Sequence, residues 1–283
     1  MAWLQINFRS NALLGNTTLN VLLPAETMPG FPPRPVNEWK TVYLLHGLMG
    51  DSTDWLFNGN LPELAQSYDT AFVLPSVGNS FYLDQEKSGA KYSTFLGQEL
   101  VDFTRLVLPL SRKREDTVIA GLSMGGYGAI YNGLRWHETF GHIIGLSSAN
   151  AYNEAPATDA ELNALGLNRA YYRETFGDLD HVHTSESNPA VLAERVLSEA
   201  KQPFDLYFAC GWNDKLVHRN RALRDGLDAI KFPYAYEEGP GTHEWAFWNT
   251  YLKKGLDRIW PAPKFDPEMM KQFMPFWIEK PEE

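Results

Sequence analysis

Residues 119–128 read Ile119-Ala120-Gly121-Leu122-Ser123-Met124-Gly125-Gly126-Tyr127-Gly128, and the fold turns on how they are read. An apolar run from Thr117 to Leu122 leads into the serine, and a helical pattern from Gly125 to Trp136 follows it. A G-x-S-x-G pattern in that setting predicts a strand-to-helix elbow that lifts a nucleophilic hydroxyl above the ends of a parallel sheet. So tight a turn needs flanking positions without bulk, and Gly121, Gly125 and Gly126 supply them. The start of the helix adds unpaired N–H groups and a positive dipole end beside any anion formed there. Without its neighbours the stretch has a plainer reading, in which the glycines only bring helix and sheet together and Ser123 is an N-cap.

Outward from the elbow the chain alternates. Thr41 to Leu45, Ala71 to Leu74, His142 to Leu146, Phe204 to Cys210 and Tyr234 to Glu238 read as further strands, most of them short buried runs. Helical spacing covers Tyr92 to Leu110, Ala190 to Ala200, Arg221 to Ile230 and Glu244 to Trp260. Trp3 to Phe8 and Thr18 to Leu23 open the chain as an antiparallel hairpin around Gly15-Asn16, and Met28 to Pro35 is a proline-dense loop. Strands alternating with helices imply an α/β fold, a mostly parallel central sheet with helices on both faces. Residues 148–189 separate two strands by far more than the usual connection and read as a helical cap insertion over the site. The expected organisation is one domain over residues 1–260 and a Pro-rich C-terminal tail over 261–283.

A serine hydroxyl is a poor nucleophile unless a base lies within hydrogen-bond reach and an acid orients that base. On an elbow of this kind the chain order is serine, acid, histidine. The loop Gly211-Trp212-Asn213-Asp214 after the strand ending at Cys210 offers Asp214 as the acid, whereas Asp205 sits at the wrong end of that strand. The glycine-rich loop Gly239-Pro240-Gly241-Thr242-His243 after the last strand offers His243 as the base. Acyl transfer also needs N–H donors aimed at the developing oxyanion. Met124, directly after the serine, supplies one, and Leu48 in His46-Gly47-Leu48-Met49-Gly50 supplies the other.

Composition limits the partners. The 283 residues carry a formal charge of −10, which disfavours a nucleic-acid or anionic-membrane surface. Arg112-Lys113-Arg114 reads as a solvated loop, and Cys210, the single cysteine, reads as a buried apolar residue. No signal peptide and no membrane-spanning run is seen, so the expectation is a soluble cytoplasmic protein.

The blocks Val42-Tyr43-Leu44-Leu45-His46-Gly47, Asp54-Trp55-Leu56, Ile119 to Gly128, Cys210-Gly211 with Asp214, and Gly241-Thr242-His243-Glu244-Trp245 resemble the esterase D and tributyrin esterase family of α/β hydrolases. That group includes S-formylglutathione hydrolases and, more distantly, the antigen 85 mycolyltransferases. The resemblance implies the α/β-hydrolase fold, with Ser123 as nucleophile, His243 as base, Asp214 as acid, and Leu48 and Met124 as oxyanion donors. It further implies hydrolysis of short acyl esters with no cofactor and no metal, often by a homo-oligomer. Many S-formylglutathione hydrolases carry a cysteine in the oxyanion loop, where this chain has Leu48-Met49-Gly50.

The expected activity is therefore a serine carboxylesterase acting on small acyl esters. A glutathione thioesterase, or an acetylxylan or feruloyl esterase on small cell-wall fragments, is the alternative. Trp55, Tyr82, Trp212 and Trp245 are candidates for the substrate pocket, with core packing as their other reading. Asp178-Leu179-Asp180-His181-Val182-His183 has the residue types of a metal site but reads more simply as a polar cap loop.

Overall fold

The predicted strands are mostly short apolar runs with no polar face, and such runs are satisfied only inside a sheet covered on both sides. A computed structural model describes residues 1–25, 38–154 and 167–260, and the Met28 to Pro35 loop and the 261–283 tail lie outside them. The described chain folds around an eight-stranded sheet in the order β1-β2-β4-β3-β5-β6-β7-β8. The strands are β1 (Ala2–Ser10), β2 (Gly15–Leu23), β3 (Lys40–Leu45), β4 (Thr70–Pro75), β5 (Thr117–Leu122), β6 (His142–Leu146), β7 (Asp205–Gly211) and β8 (Ala235–Gly239). β1 and β2 pair antiparallel, as do β2 and β4; every other pairing is parallel. This is the α/β-hydrolase architecture.

Every residue of β4 and β5 is buried, as the apolar runs require. β1, at the edge, instead alternates, with Leu4, Ile6 and Phe8 turned toward the core and Trp3, Gln5 and Asn7 exposed. Alternate residues of the central strands feed two separate cores. Tyr43, Leu45, Ile119 and Ile143 pack with helices α3 (Tyr92–Val107), α4 (Met124–Arg135), α6 (Pro189–Glu199) and α7 (Val217–Ala229). Val42, Leu44, Val118 and Ile144 face the other way, against α1 (Asp54–Asn58), α2 (Leu61–Tyr68) and α8 (Trp245–Ile259). Between β6 and α6 the described residues include the helix α5 (Arg169–Phe176). No described helix is long and apolar enough to cross a membrane.

Two local expectations are corrected. Gly15 and Asn16 begin β2, and the hairpin turn is Asn11 to Leu14. The Glu99 carboxylate accepts from the N–H groups of Asn11 and Ala12 at 2.7 and 3.2 Å, so a residue far along the chain shapes this turn. α3 ends at Val107 rather than Leu110, because Leu108 precedes a proline and is extended. Its middle, Phe95–Glu99, is a π-helical turn, and Gly97 there lies against the Trp136 indole, where a Cβ would sit 2.1 Å from the ring.

Candidate active site

β3, β5, β7 and β8 run parallel, so the loops at their carboxyl ends lie along one rim of the sheet, where α/β folds bind ligands. Ser123 follows β5 directly, at φ 55° and ψ −117°, a strained conformation for a residue with a side chain. The elbow holds this strain by close backbone packing. A Cβ on Gly121 would lie 2.3 Å from Gly125 O, and one on Gly125 would lie 2.5 Å from Leu45 O. The Ser123 N–H donates to Leu146 O at 2.8 Å, tying the elbow to β6.

Ser123 occupies the N-cap position of α4, yet its hydroxyl makes no capping bond. Its Oγ lies 3.0 Å from His243 Nε2, and His243 Nδ1 lies 2.9 Å from Asp214 Oδ2. The plainer reading of Ser123 as a simple cap is thereby set aside. The Asp214 side chain is fully buried. Burial pushes its pKa up, but hydrogen bonds from His243, the Leu216 N–H and Ser147 outweigh that and hold the carboxyl below its ordinary range. The loops bearing Asp214 and His243 are joined, since Trp212 N–H donates to Gly239 O at 2.8 Å and Asn213 N–H to Gly241 O at 3.1 Å.

The loop after β3 is built to expose an amide. His46 is buried, with Nδ1 2.8 Å from Gly47 O and Nε2 3.2 Å from the Val77 nitrogen. A neutral ring with its proton on Nδ1 satisfies both contacts, donating to one and accepting from the other. Burial lowers the His46 pKa, in keeping with that neutral form. Gly50 N–H donates to Gly47 O at 3.2 Å, and Met49, at φ 63°, donates its N–H to Asn79 Oδ1 at 2.7 Å. Leu48 N–H, between them, has no acceptor among the described residues. Met124 is the first residue of α4, so its N–H also lacks an intrahelical partner.

Ser123, Met124, His243, Leu48 and Trp245 line one cavity of about 590 Å³, whose wall is mainly apolar and includes Phe81 and Trp248. Leu167 and Tyr172, from the 148–189 segment, also line it. Three expected pocket residues do not. Trp55 is buried and donates its Nε1–H to Leu45 O at 3.0 Å, so it supports the Leu48 loop from the core. Tyr82 is fully buried and donates its hydroxyl to His46 O at 2.8 Å, bracing the same loop. Trp212 is 58% exposed. Trp245 keeps its place on the cavity wall, edge-on to Trp55.

A second cavity of about 590 Å³, walled by Asp84, Arg135, Glu174 and Asp178 among others, contains none of Ser123, Asp214 and His243. His181 pairs with Asp178 at 2.7 Å, and no cluster of three metal-ligating side chains occurs among the described residues. Asp205 lies at the far end of β7 and pairs with His142 at 2.7 Å. Cys210 is buried in β7, with burial pushing its thiol pKa well up. Sequence reasoning missed Ser147, Trp248 and Asn79. The one available signal was position, since Ser147 directly follows β6 on the same rim.

Known proteins resemble this chain over most of its length. The Esterase family model, described as "Putative esterase", matches residues 10–259. An acetyl esterase of Caldicellulosiruptor saccharolyticus is 39% identical over 259 residues, 91% of this chain and 97% of that protein. Among solved structures, the fluorophosphonate-binding serine hydrolase FphF of Staphylococcus aureus superposes with a TM-score of 0.79 at 29% identity, covering 91% of this chain and 98% of that one. S-formylglutathione hydrolase FrmB of the same organism gives 0.77 at 30% identity with the same coverage. Mycobacterium tuberculosis MPT51 shares the fold, at TM-score 0.71 and 16% identity, covering 92% of this chain and 98% of that one. A match that runs from the end of β1 through α8, and so includes all four rim loops, is not a shared fragment: the chain belongs to the esterase family of α/β serine hydrolases.

Proposed function

We propose that this esterase hydrolyses short-chain acyl esters, acetyl esters foremost, through an acyl-enzyme on Ser123. The observation that carries this is the relay itself: Ser123 Oγ 3.0 Å from His243 Nε2, and His243 Nδ1 2.9 Å from Asp214. Ser123 Oγ attacks the carbonyl carbon while its proton passes to Nε2. The carbonyl oxygen becomes an oxyanion and accepts from the N–H groups of Met124 and Leu48. As the tetrahedral intermediate collapses, the ester C–O bond breaks and the imidazolium returns its proton to the leaving alcohol. Water, deprotonated by His243, then releases the carboxylic acid and restores Ser123. The identity to an acetyl esterase supports the acyl choice. Leu167 and Tyr172 on the cavity wall support the described residues of the 148–189 segment as a cap over the bound ester.

A fluorophosphonate probe should label the wild type and not Ser123→Ala. In a rate series from acetyl to octanoyl 4-nitrophenyl esters, kcat/KM should be highest among the short acyl groups. A maximum at octanoyl refutes the short-chain assignment. Faster hydrolysis of S-formylglutathione than of any oxygen ester would favour the thioesterase reading, which the likeness to FrmB supports.

A further inference from the structure

The loop after β4 holds the loop after β3 on both sides of Leu48. Ser76 Oγ accepts from Ser52 N–H at 2.9 Å, Val77 N–H donates to His46 Nε2 at 3.2 Å, and the Tyr82 hydroxyl donates to His46 O at 2.8 Å. A fourth bond falls on the turn itself, where Asn79 Oδ1 accepts from Met49 N–H at 2.7 Å. That turn runs from Gly47 to Gly50 and is closed by Gly50 N–H on Gly47 O at 3.2 Å. Met49, its third residue, is at φ 63°, and Leu48, its second, is not at positive φ, the pattern of a type II turn. Glycine or asparagine is the usual third residue there, so methionine holds the position under strain. Asn79 also binds α5, because its backbone oxygen accepts from the Tyr171 hydroxyl at 2.7 Å. The next residue, Tyr172, lines the cavity with Leu48 and Met49.

We propose that Asn79 is a positioning residue for the oxyanion site: its side chain holds the strained Leu48–Met49 peptide so that Leu48 N–H stays aimed into the cavity, and its backbone ties that turn to α5 through Tyr171. The proposal rests on the assignment of Leu48 N–H as an oxyanion donor made above. Its physical basis is the choice between turn types. Without an acceptor for its N–H, a methionine relaxes to negative φ by rotation of the Leu48–Met49 peptide, as in a type I turn. The ends stay closed by Gly50 and Gly47, so rotating the middle peptide tilts the Gly47–Leu48 peptide that carries the donor. An oxyanion donor acts only within hydrogen-bond reach of the developing charge, so a tilt lowers kcat and leaves ground-state binding alone. Contact of the ester with Tyr172 and the aim of Leu48 N–H therefore meet at Asn79.

The test measures kcat and KM for 4-nitrophenyl acetate, inhibition by trifluoroacetone, and thermal unfolding. Ser123 Oγ adds to the ketone carbon of trifluoroacetone as its proton passes to His243, and the ketone oxygen becomes an oxyanion, so this probe reads the donors directly. Asn79→Ala should lower kcat about threefold to tenfold, the scale of one hydrogen bond, with KM within about twofold. The trifluoroacetone inhibition constant should rise by the same factor. Met49→Gly removes the strain, since glycine takes positive φ readily. In that background Asn79→Ala should change kcat by less than about twofold. Tyr171→Phe removes the donor on α5 and should lower kcat about twofold to fivefold, again with a smaller effect beside Met49→Gly.

Wild-type kcat and wild-type trifluoroacetone inhibition in folded Asn79→Ala overturn the proposal. So does an equal loss beside Met49→Gly, which would mark a role unrelated to the turn. Wild-type kcat in Tyr171→Phe overturns the tie to α5. If Asn79→Ala does not fold, Tyr171→Phe decides, alone and beside Met49→Gly. Leu48→Pro separates the two levels of failure, since the second position of a type II turn accepts proline and the change deletes the donor N–H. Unchanged kcat in folded Leu48→Pro refutes the oxyanion assignment, whereas a loss of about a hundredfold there beside unaffected Asn79→Ala refutes only the positioning role.

Discussion

Asp214→Asn is the substitution whose consequence follows most directly from the geometry. Asp214 Oδ1 accepts from Leu216 N–H at 2.8 Å, and Oδ2 lies 2.9 Å from His243 Nδ1. An asparagine can keep its oxygen on Leu216, which turns its NH₂ group toward His243. Nδ1 must then accept, so the imidazole proton moves to Nε2, 3.0 Å from Ser123 Oγ. In that tautomer the ring donates to the serine and cannot take its proton. Loss of a correctly oriented base in such a triad lowers kcat about a thousandfold to ten-thousandfold, and that is about 4–5.5 kcal/mol of barrier.

Stability should change far less. Asparagine has the same volume, and the loss of hydrogen bonds to a charged group, about 1.5–3 kcal/mol, is partly offset because a buried charge is removed. The assay is steady-state hydrolysis of 4-nitrophenyl acetate, with thermal unfolding followed on the same samples. Asp225→Asn, on the exposed face of α7, is the control and should leave both unchanged. If Asp214→Asn keeps more than about a tenth of wild-type kcat while melting normally, the assignment of Asp214 as the orienting acid is refuted.

Tyr82→Phe removes the hydroxyl that donates to His46 O in the core, and should destabilise the fold by about 1–3 kcal/mol in urea unfolding while slowing acylation through the loosened Leu48 loop. The neutral, buried His46 sets a pH dependence. In the unfolded chain it protonates near pH 6.5, and in the fold only at lower pH, so its stabilisation is complete above about pH 6.5 and is lost as the pH falls toward the folded value. The melting temperature of His46→Asn should therefore depend less on pH than wild type over about pH 5–7, and equal slopes would refute the neutral buried ring. Trp245→Ala should raise KM for 4-nitrophenyl acetate several-fold, about 1 kcal/mol of lost aromatic contact, whereas Trp212→Ala should leave it unchanged; the reverse pattern would overturn the placement of the cavity.

Features governed by neighbouring residues were readable from the chain alone. The elbow was legible because only glycine fits at Gly121 and Gly125, where the backbones approach closely, and that requirement stands in the sequence around Ser123. The central strands were legible because a strand buried on both faces has no polar alternation to confuse with anything else. Strand order along an α/β sheet then placed the loops of Asp214 and His243 on the same rim as Ser123.

What the tertiary structure decided was the environment of each side chain. Trp55, Tyr82, Trp212 and Trp245 are all aromatic residues near strand ends, and only the packing of other elements sends two into the core, one into solvent and one onto the cavity wall. The hairpin turn depends on Glu99, and the Met49 amide on Asn79, whose own carbonyl accepts from the Tyr171 hydroxyl of α5. Ser147 and Trp248 meet across 101 positions of sequence. A hydrogen bond of that kind leaves no periodic or compositional trace, because neither partner's local conformation requires the other. The sequence by itself therefore determined which residues could do the chemistry and where along the chain the sheet presents them, and the packed fold alone determined what holds them in place.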